Sequence, residues 1–103
     1  MPLQRKTAFI NLRTREVDIQ VVPPALRKQF FGGRGLNMYY LFHLAPKGID
    51  PFDADNPLIF GAGLLTGVLS GRLNVTGKSP ESGYLGDSNV GGYFGAELAG
   101  TGF

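Results

Sequence analysis

The spacing of hydrophobic residues predicts a β-hairpin at the start of the chain. In residues 16–22, apolar and polar side chains alternate, so that Val17, Ile19 and Val21 share one face of a strand. A second β-prone run covers residues 6–12, and the three residues between the two runs are enough for a turn. We therefore expect two antiparallel strands here.

Two helices are predicted next. Pro23 and Pro24 end the hairpin and can open a helix over residues 25–31, which Gly32 and Gly33 end. A second helix covers residues 36–44 and is apolar on nearly every side. A helix of that kind is buried or covered by a partner, so we expect the isolated chain to self-associate.

The second half of the chain carries weaker signals. We predict short strands at residues 58–60 and 72–75, a long polar loop at 77–89, and the first turns of a helix at 91–98. Together the elements indicate an α+β fold, in which an antiparallel sheet that includes the hairpin carries the helix at 35–45.

Length and composition narrow the class of protein. The chain has 103 residues, of which 43% are hydrophobic and 17% charged, which favours one globular domain over a disordered chain. It has no cysteine, so it cannot itself ligate an iron–sulfur cluster. Without a long apolar run or a signal peptide, we expect a cytoplasmic protein with no membrane contact. The net charge of +2 is too small to indicate nucleic-acid binding.

Glycine and charge are unevenly distributed. Residues 51–103 hold 12 of the 16 glycines and carry a net charge of −3, whereas residues 1–50 carry +5. Glycine weakens helices and strands by about 0.5–1 kcal/mol relative to alanine. The second half must therefore gain something from close backbone approach or from contacts outside the chain.

The strongest candidate chemistry is an anion site in this half. Glycines flank Arg72, and Asn89, Val90, Gly91 and Gly92 open the predicted third helix. Exposed main-chain amides and an arginine suit a phosphate, so the pattern indicates an anionic cofactor held mostly by main chain. The alternative is a set of glycine-rich turns with one exposed arginine.

Other motifs fit less well. Residues 71–79 resemble a P-loop but have five residues where that motif has four, and residues 61–67 are one residue too long for a dinucleotide fingerprint. The single histidine, His43, suits a structural role in its helix. Asp50, Asp53 and Asp55 are typical of turns.

The order of five segments resembles the N-terminal domain of the tungsten-containing aldehyde:ferredoxin oxidoreductase family. These are residues 9–12, GGRGLN at 32–37, IDPFDADNPLIFGAGLLTG at 49–67, GRLNVTGKSP at 71–80, and GDSNVGGYFGAEL at 86–98. The likeness covers residues 8–99. It implies that residues 1–103 are a single, incomplete N-terminal cofactor-binding domain.

The resemblance also implies site roles. Arg72 would contact pterin phosphates near the iron–sulfur cluster, and Asn89 would offer its backbone carbonyl to a magnesium ion that bridges them. Val90, Gly91 and Gly92 would line the same pterin. No residue of this chain is expected to be catalytic.

The complete enzyme would hold a tungsten or molybdenum bis-pterin, magnesium and a 4Fe-4S cluster. It would oxidise an aldehyde to a carboxylic acid and pass the electrons to ferredoxin. The pterin cofactor and the remaining domains of the parent enzyme would be the partners of this chain. Two alternatives stay open: a stand-alone interaction or assembly module without catalysis, and a phosphate- or nucleotide-binding protein.

Overall fold

The structure, a computed structural model, describes residues 4–69 and 71–103. Its elements in chain order are strands β1 (Lys6–Asn11) and β2 (Glu16–Val21), helices α1 (Pro24–Phe30) and α2 (Gly33–Leu44), strands β3 (Ile59–Ala62), β4 (Leu73–Lys78) and β5 (Leu85–Val90), and helix α3 (Phe94–Gly100). The predicted α+β class with antiparallel pairing is confirmed.

The strands form two separate antiparallel sheets. One is the predicted hairpin β1–β2, in which Lys6 lies opposite Val21. Its turn is closed by the Asn11 side-chain oxygen, which accepts hydrogen bonds from two following backbone N–H groups. The other sheet has the order β3-β4-β5, with β4 in the centre. The sequence pattern indicated the hairpin sheet more clearly than this second one.

Helix α2 packs on the second sheet and contacts the first through Tyr40, so the prediction that the sheet carrying this helix includes the hairpin is wrong. The helix lies against β3 and β4, and the Tyr40 hydroxyl is 3.0 Å from Thr7 Oγ1 in β1. The helix begins at Gly33, three residues before the predicted start. Gly32 has φ +122°, and a Cβ there would lie 3.0 Å from the Ala62 carbonyl oxygen. This glycine therefore lets the start of α2 approach the end of β3.

Two predicted elements of the second half are corrected. Residues 85–89, predicted as part of a loop, belong to strand β5. Its side chains at 87 and 89 face polar groups of β4 instead of an apolar core, so the alternation of apolar residues that marks a strand is absent. Helix α3 begins at Phe94, so Asn89 and Val90 end a strand, Gly91 and Gly92 lie in the connection after it, and the prediction that these four residues open the helix is wrong.

Large apolar side chains remain exposed on the hairpin and on α2. Val17, Ile19 and Val21 do share a face, but it is the outer face of β2, and each is more than half exposed. Phe42 on α2 is 83% exposed. These surfaces are available for contact with other protein.

The first and last described residues lie close together. Arg5 is buried and donates hydrogen bonds to the carbonyl oxygens of Ala99 and Phe103. Burial, and then the positive charge of Arg27, lower the pKa of the Arg5 guanidinium. In the described part of the chain, no helix combines the length and apolar character that a bilayer crossing requires.

Candidate cofactor-binding site

An open groove lies where β4 begins and β5 ends. It has a volume of about 520 Å³ and is bordered by Arg72, Gly91 and Gly92 together with Leu69, Gly71, Tyr93 and Ala96. Arg72 immediately precedes β4, and Gly91 immediately follows β5. Because the two strands are antiparallel neighbours, these positions meet at one end of the sheet. Three of the predicted site residues are thus brought together.

The floor of the groove depends on close packing around Thr66. This side chain is buried, and a Cβ added to Gly71 would lie 2.8 Å from its hydroxyl oxygen. A Cβ added to Gly95 in α3 would lie 3.3 Å from its methyl group and 3.2 Å from the Leu73 nitrogen. Gly71 and Gly95 therefore serve packing, and they allow α3 to form a wall of the groove.

The glycine pair after β5 presents bare main chain. A Cβ added to Gly91 or to Gly92 would meet no atom within 4 Å. Gly92 also has φ +99°, a conformation that favours glycine. A ligand can therefore approach the peptide groups of this turn without meeting a side chain.

Arg72 supplies the positive charge of the groove. It is exposed, and within residues 4–69 and 71–103 it makes no hydrogen bond or ion pair. The other cation of the second half, Lys78, donates to the Ile49 carbonyl oxygen. A guanidinium beside accessible main-chain amides is a donor set that matches phosphate oxygens. The groove therefore fits the phosphate groups of the expected cofactor.

The backbone carbonyl of Asn89 points away from β4. At the connection between β4 and β5, the Ser79 N–H donates a hydrogen bond to the Tyr84 carbonyl oxygen at 2.7 Å. Hydrogen-bonded pairs alternate with non-bonded pairs along an antiparallel ladder. Ser79 and Tyr84 are a hydrogen-bonded pair, and the alternation along the ladder from this pair makes Asn74 and Asn89 a non-bonded pair. The main-chain groups of Asn89 therefore face the open edge of the sheet, where a cation can reach the carbonyl.

Two predicted site residues, Asn89 and Val90, are not among the residues that border the groove. Val90 lies opposite Leu73 and is about half exposed. Its side chain projects to the opposite face of the sheet from that of Asn89, because successive residues of a strand alternate.

Sequence reasoning missed a group of hydrogen-bonded polar side chains beneath α2. We call it the asparagine cluster, and its members are Asn37, Asn74, Thr76, Asp87 and Asn89. Asn37, Asn74 and Thr76 are at most 3% exposed. The only signal in the sequence was a pair of polar residues at alternate positions of β4, which is usual for a solvent-facing strand.

The weaker candidates have structural roles. The Asp50 and Asp53 carboxylates each accept a hydrogen bond from a backbone N–H two residues later, as turn-forming residues do. His43 lies against the Tyr39 ring, with 4.3 Å between centroids. Residues 73–78 form a strand, so the stretch that resembles a P-loop is not a phosphate loop.

Comparison with known proteins gives a consistent result. The family model described as the N-terminal domain of aldehyde ferredoxin oxidoreductase matches residues 7–103. The tungsten-containing aldehyde ferredoxin oxidoreductase of Pyrococcus furiosus is 40% identical over 97 residues, which is 91% of this chain. The protein of the same name from Thermococcus kodakarensis is 42% identical over 92 residues, or 86% of the chain.

A solved structure shares the fold. The active-site complex BamBC of benzoyl coenzyme A reductase, determined with 1,5-dienoyl-CoA, matches with a TM-score of 0.91 and 28% identity over 98% of this chain. The chain spans only about one-sixth of the length of these proteins, 15–16% of each.

Proposed function

Because the chain belongs to the family of aldehyde ferredoxin oxidoreductase N-terminal domains, we propose that it is the cofactor-binding N-terminal part of such an enzyme. The complete enzyme would oxidise an aldehyde to a carboxylic acid and pass the electrons to ferredoxin, in the cytoplasm. It would hold a tungsten or molybdenum bis-pterin, magnesium and a 4Fe-4S cluster. Cluster ligands come from elsewhere, since this chain has no cysteine.

One observation carries the proposal: an arginine without a partner among the described residues borders the same groove as an accessible glycine turn. Arg72 borders the groove with Gly91 and Gly92, and it has no partner among the described residues. Its planar guanidinium can donate two parallel hydrogen bonds to a pterin phosphate. The glycine turn adds main-chain donors, and its lack of side chains lets the phosphate approach.

Asn89 supplies the second element of the proposal. Its outward-facing carbonyl is a hard oxygen ligand, which suits a magnesium ion that keeps several other oxygen ligands. The ion would sit beside the phosphates that Arg72 binds and would offset part of their charge. Val90 contributes only its main chain in this arrangement, because its side chain lies outside the groove.

The residues of this chain bind and orient; they do not carry out the oxidation. When bound, the metal–pterin group supplies the two-electron redox chemistry. The described residues hold no group of three or more histidines, cysteines or carboxylates close enough to bind a metal ion. We assign proton transfer and the contacts to tungsten to the remaining domains of the parent enzyme.

The test is the cofactor content of an Arg72→Ala variant of the complete enzyme. Loss of one charge-assisted partner costs on the order of 1.5–3 kcal/mol, which corresponds to a roughly 10- to 150-fold loss of affinity. We expect pterin and metal per folded protein to fall accordingly. Arg13→Ala, in the exposed hairpin turn, is the matched control. Arg34 is a poorer control because its guanidinium Nη1 lies 3.9 Å from Asp87 Oδ2, so that Arg34→Ala would also remove an ion pair.

Full cofactor content in Arg72→Ala would reject the proposed site. A full-length product without cysteine motifs downstream, or one that purifies without pterin and metal, would favour the non-catalytic assembly module. Purification with a nucleotide and no metal would favour the phosphate-binding alternative.

A further inference from the structure

We propose that Asn74 is a positioning residue, whose buried amide clamps the end of β5 beside the groove. The proposal rests on the proposed function, because the clamped segment leads directly into the residues assigned to the cofactor. Asn74 itself does not border the groove.

The amide nitrogen of Asn74 faces three oxygen atoms of β5. Its Nδ2 lies 3.0 Å from Asp87 Oδ2, 3.3 Å from the Ser88 carbonyl oxygen and 3.1 Å from Asn89 Oδ1. Asn74 is 2% exposed, so its amide is shielded from water on the donor side, whereas the acceptor residues on β5 are exposed. The two N–H groups of this one side chain are thus shared among acceptors on three consecutive residues of the neighbouring strand.

The other end of the same amide is fixed by two donors. Asn74 Oδ1 accepts hydrogen bonds from Asn37 Nδ2 at 3.1 Å and from Thr76 Oγ1 at 2.6 Å. Asn37 also donates to the Asn74 backbone oxygen at 3.1 Å. Because both donors require the oxygen on their side, the NH2 group of Asn74 must face β5.

The end of β5 needs this support because β5 is an edge strand. In the alternating ladder, Asp87 and Asn89 are the residues whose main-chain groups point away from β4. Asn74 binds the side chains of these same two residues. It therefore adds bonds to β4 where the ladder has none, directly before the unsupported glycine turn at residues 91 and 92.

The variant Asn74→Asp isolates the clamp. Aspartate keeps the shape and the acceptor for Asn37 and Thr76, but it replaces the donor with a carboxylate about 3 Å from Asp87. Amide hydrogen exchange at Ser88 and Val90, whose N–H groups are bonded to β4, reports fraying of the strand end. We expect exchange there to rise at least about tenfold, and pterin and magnesium retention in the complete enzyme to fall by about as much.

Two further variants separate positioning from a general loss of stability. Thr76→Val removes a buried hydroxyl of the same cluster but leaves Asn37 to orient the Asn74 amide. We expect it to lower stability without a selective rise in exchange at Ser88 and Val90, and without loss of cofactor. Asn74→Asp combined with Asp87→Asn exchanges donor and acceptor at unchanged net charge. This double variant should restore part of the slow exchange and of the cofactor content, because it re-forms the bond to residue 87 but not the one to the Ser88 carbonyl oxygen.

The outcomes are distinct. Normal exchange and cofactor content in folded Asn74→Asp would overturn the clamp, as would equal losses in Thr76→Val at matched stability. If Asn74→Asp does not fold, failure of the double variant to recover cofactor would overturn it. Loss of cofactor in Arg72→Ala but not in Asn74→Asp would reject the clamp alone. Full cofactor in both would reject the proposed function.

Discussion

Replacing Gly61 with alanine should strongly destabilise the chain, because this glycine makes room for the buried amide of Asn37. Gly61 lies in β3 opposite Asn74, directly beneath helix α2. A Cβ at this position would overlap Asn37 Oδ1 and would lie 2.8 Å from both Cγ and Nδ2 of the same side chain. Asn37 cannot retreat without breaking its bonds to Asn74.

The expected cost follows from two contributions. Overpacking of a tightly packed interior costs about 1–3 kcal/mol. Displacement of Asn37 breaks its bonds to the main-chain and side-chain oxygens of Asn74, at about 1 kcal/mol each. Alanine returns up to about 1 kcal/mol of backbone entropy. The free energy of unfolding should therefore fall by about 2–4 kcal/mol, which lowers the Tm of a domain of this size by roughly 10 °C or more.

The assay is urea unfolding followed by circular dichroism. Gly100→Ala is the matched control, because its added Cβ would meet no atom within 4 Å and its φ is unstrained. In an Asn37→Ala background the clash is absent, so Gly61→Ala should cost less than 1 kcal/mol there. An equal cost of Gly61→Ala in both backgrounds would refute the proposed clash.

Three shorter predictions concern the groove and the exposed surfaces. Gly91→Ala should leave Tm unchanged but lower cofactor content, since its Cβ enters the groove. Gly92→Ala should lower cofactor content and also lose about 1–2 kcal/mol of stability, because Gly92 has a positive φ. Equal Tm values for the two variants would contradict the predicted strain at Gly92. Arg72→Lys should recover only part of the cofactor lost in Arg72→Ala, because an ammonium cannot form the bidentate contact; full recovery would argue against that geometry. The chain should self-associate in light scattering, and Phe42→Lys should reduce this association; a wild-type monomer at high concentration would contradict it.

The elements predicted well were those whose pattern records burial or a chain break. The alternation at residues 17–21 identified β2, and Pro23 together with Gly32 bounded helix α1 to within a residue or two. The apolar run at 36–44 identified α2 but not its start. The helix begins earlier, at Gly33, and Gly33 and Arg34 carry no apolar side chain that would extend the pattern. That extension depends on the close contact between Gly32 and the end of β3.

Strand β5 was not predictable, because its inward side chains are polar. Asp87 and Asn89 form hydrogen bonds with Asn74. Because these residues are polar, a prediction from the hydrophobic pattern assigns the segment to a loop. The cluster depends on the register between β4 and β5 and on the placement of α2. Neither is encoded in the local sequence pattern.

The site was predictable in part. Arg72 and the glycine pair stand out as a lone arginine and a flexible turn in a glycine-rich half, and the structure brings them to one groove. The outward direction of the Asn89 carbonyl could not be inferred from sequence, because it depends on which pairs of the ladder are hydrogen bonded. The roles of these residues toward a pterin remain predictions.

A structure of the complete enzyme with its cofactor bound would decide whether this groove holds the pterin. We predict a pterin phosphate within about 3 Å of the Arg72 guanidinium, beside Gly91 and Gly92. We also predict a magnesium ion about 2.1 Å from the Asn89 carbonyl oxygen. A cofactor bound on another face, with Arg72 paired to a carboxylate of a different domain, would contradict these predictions.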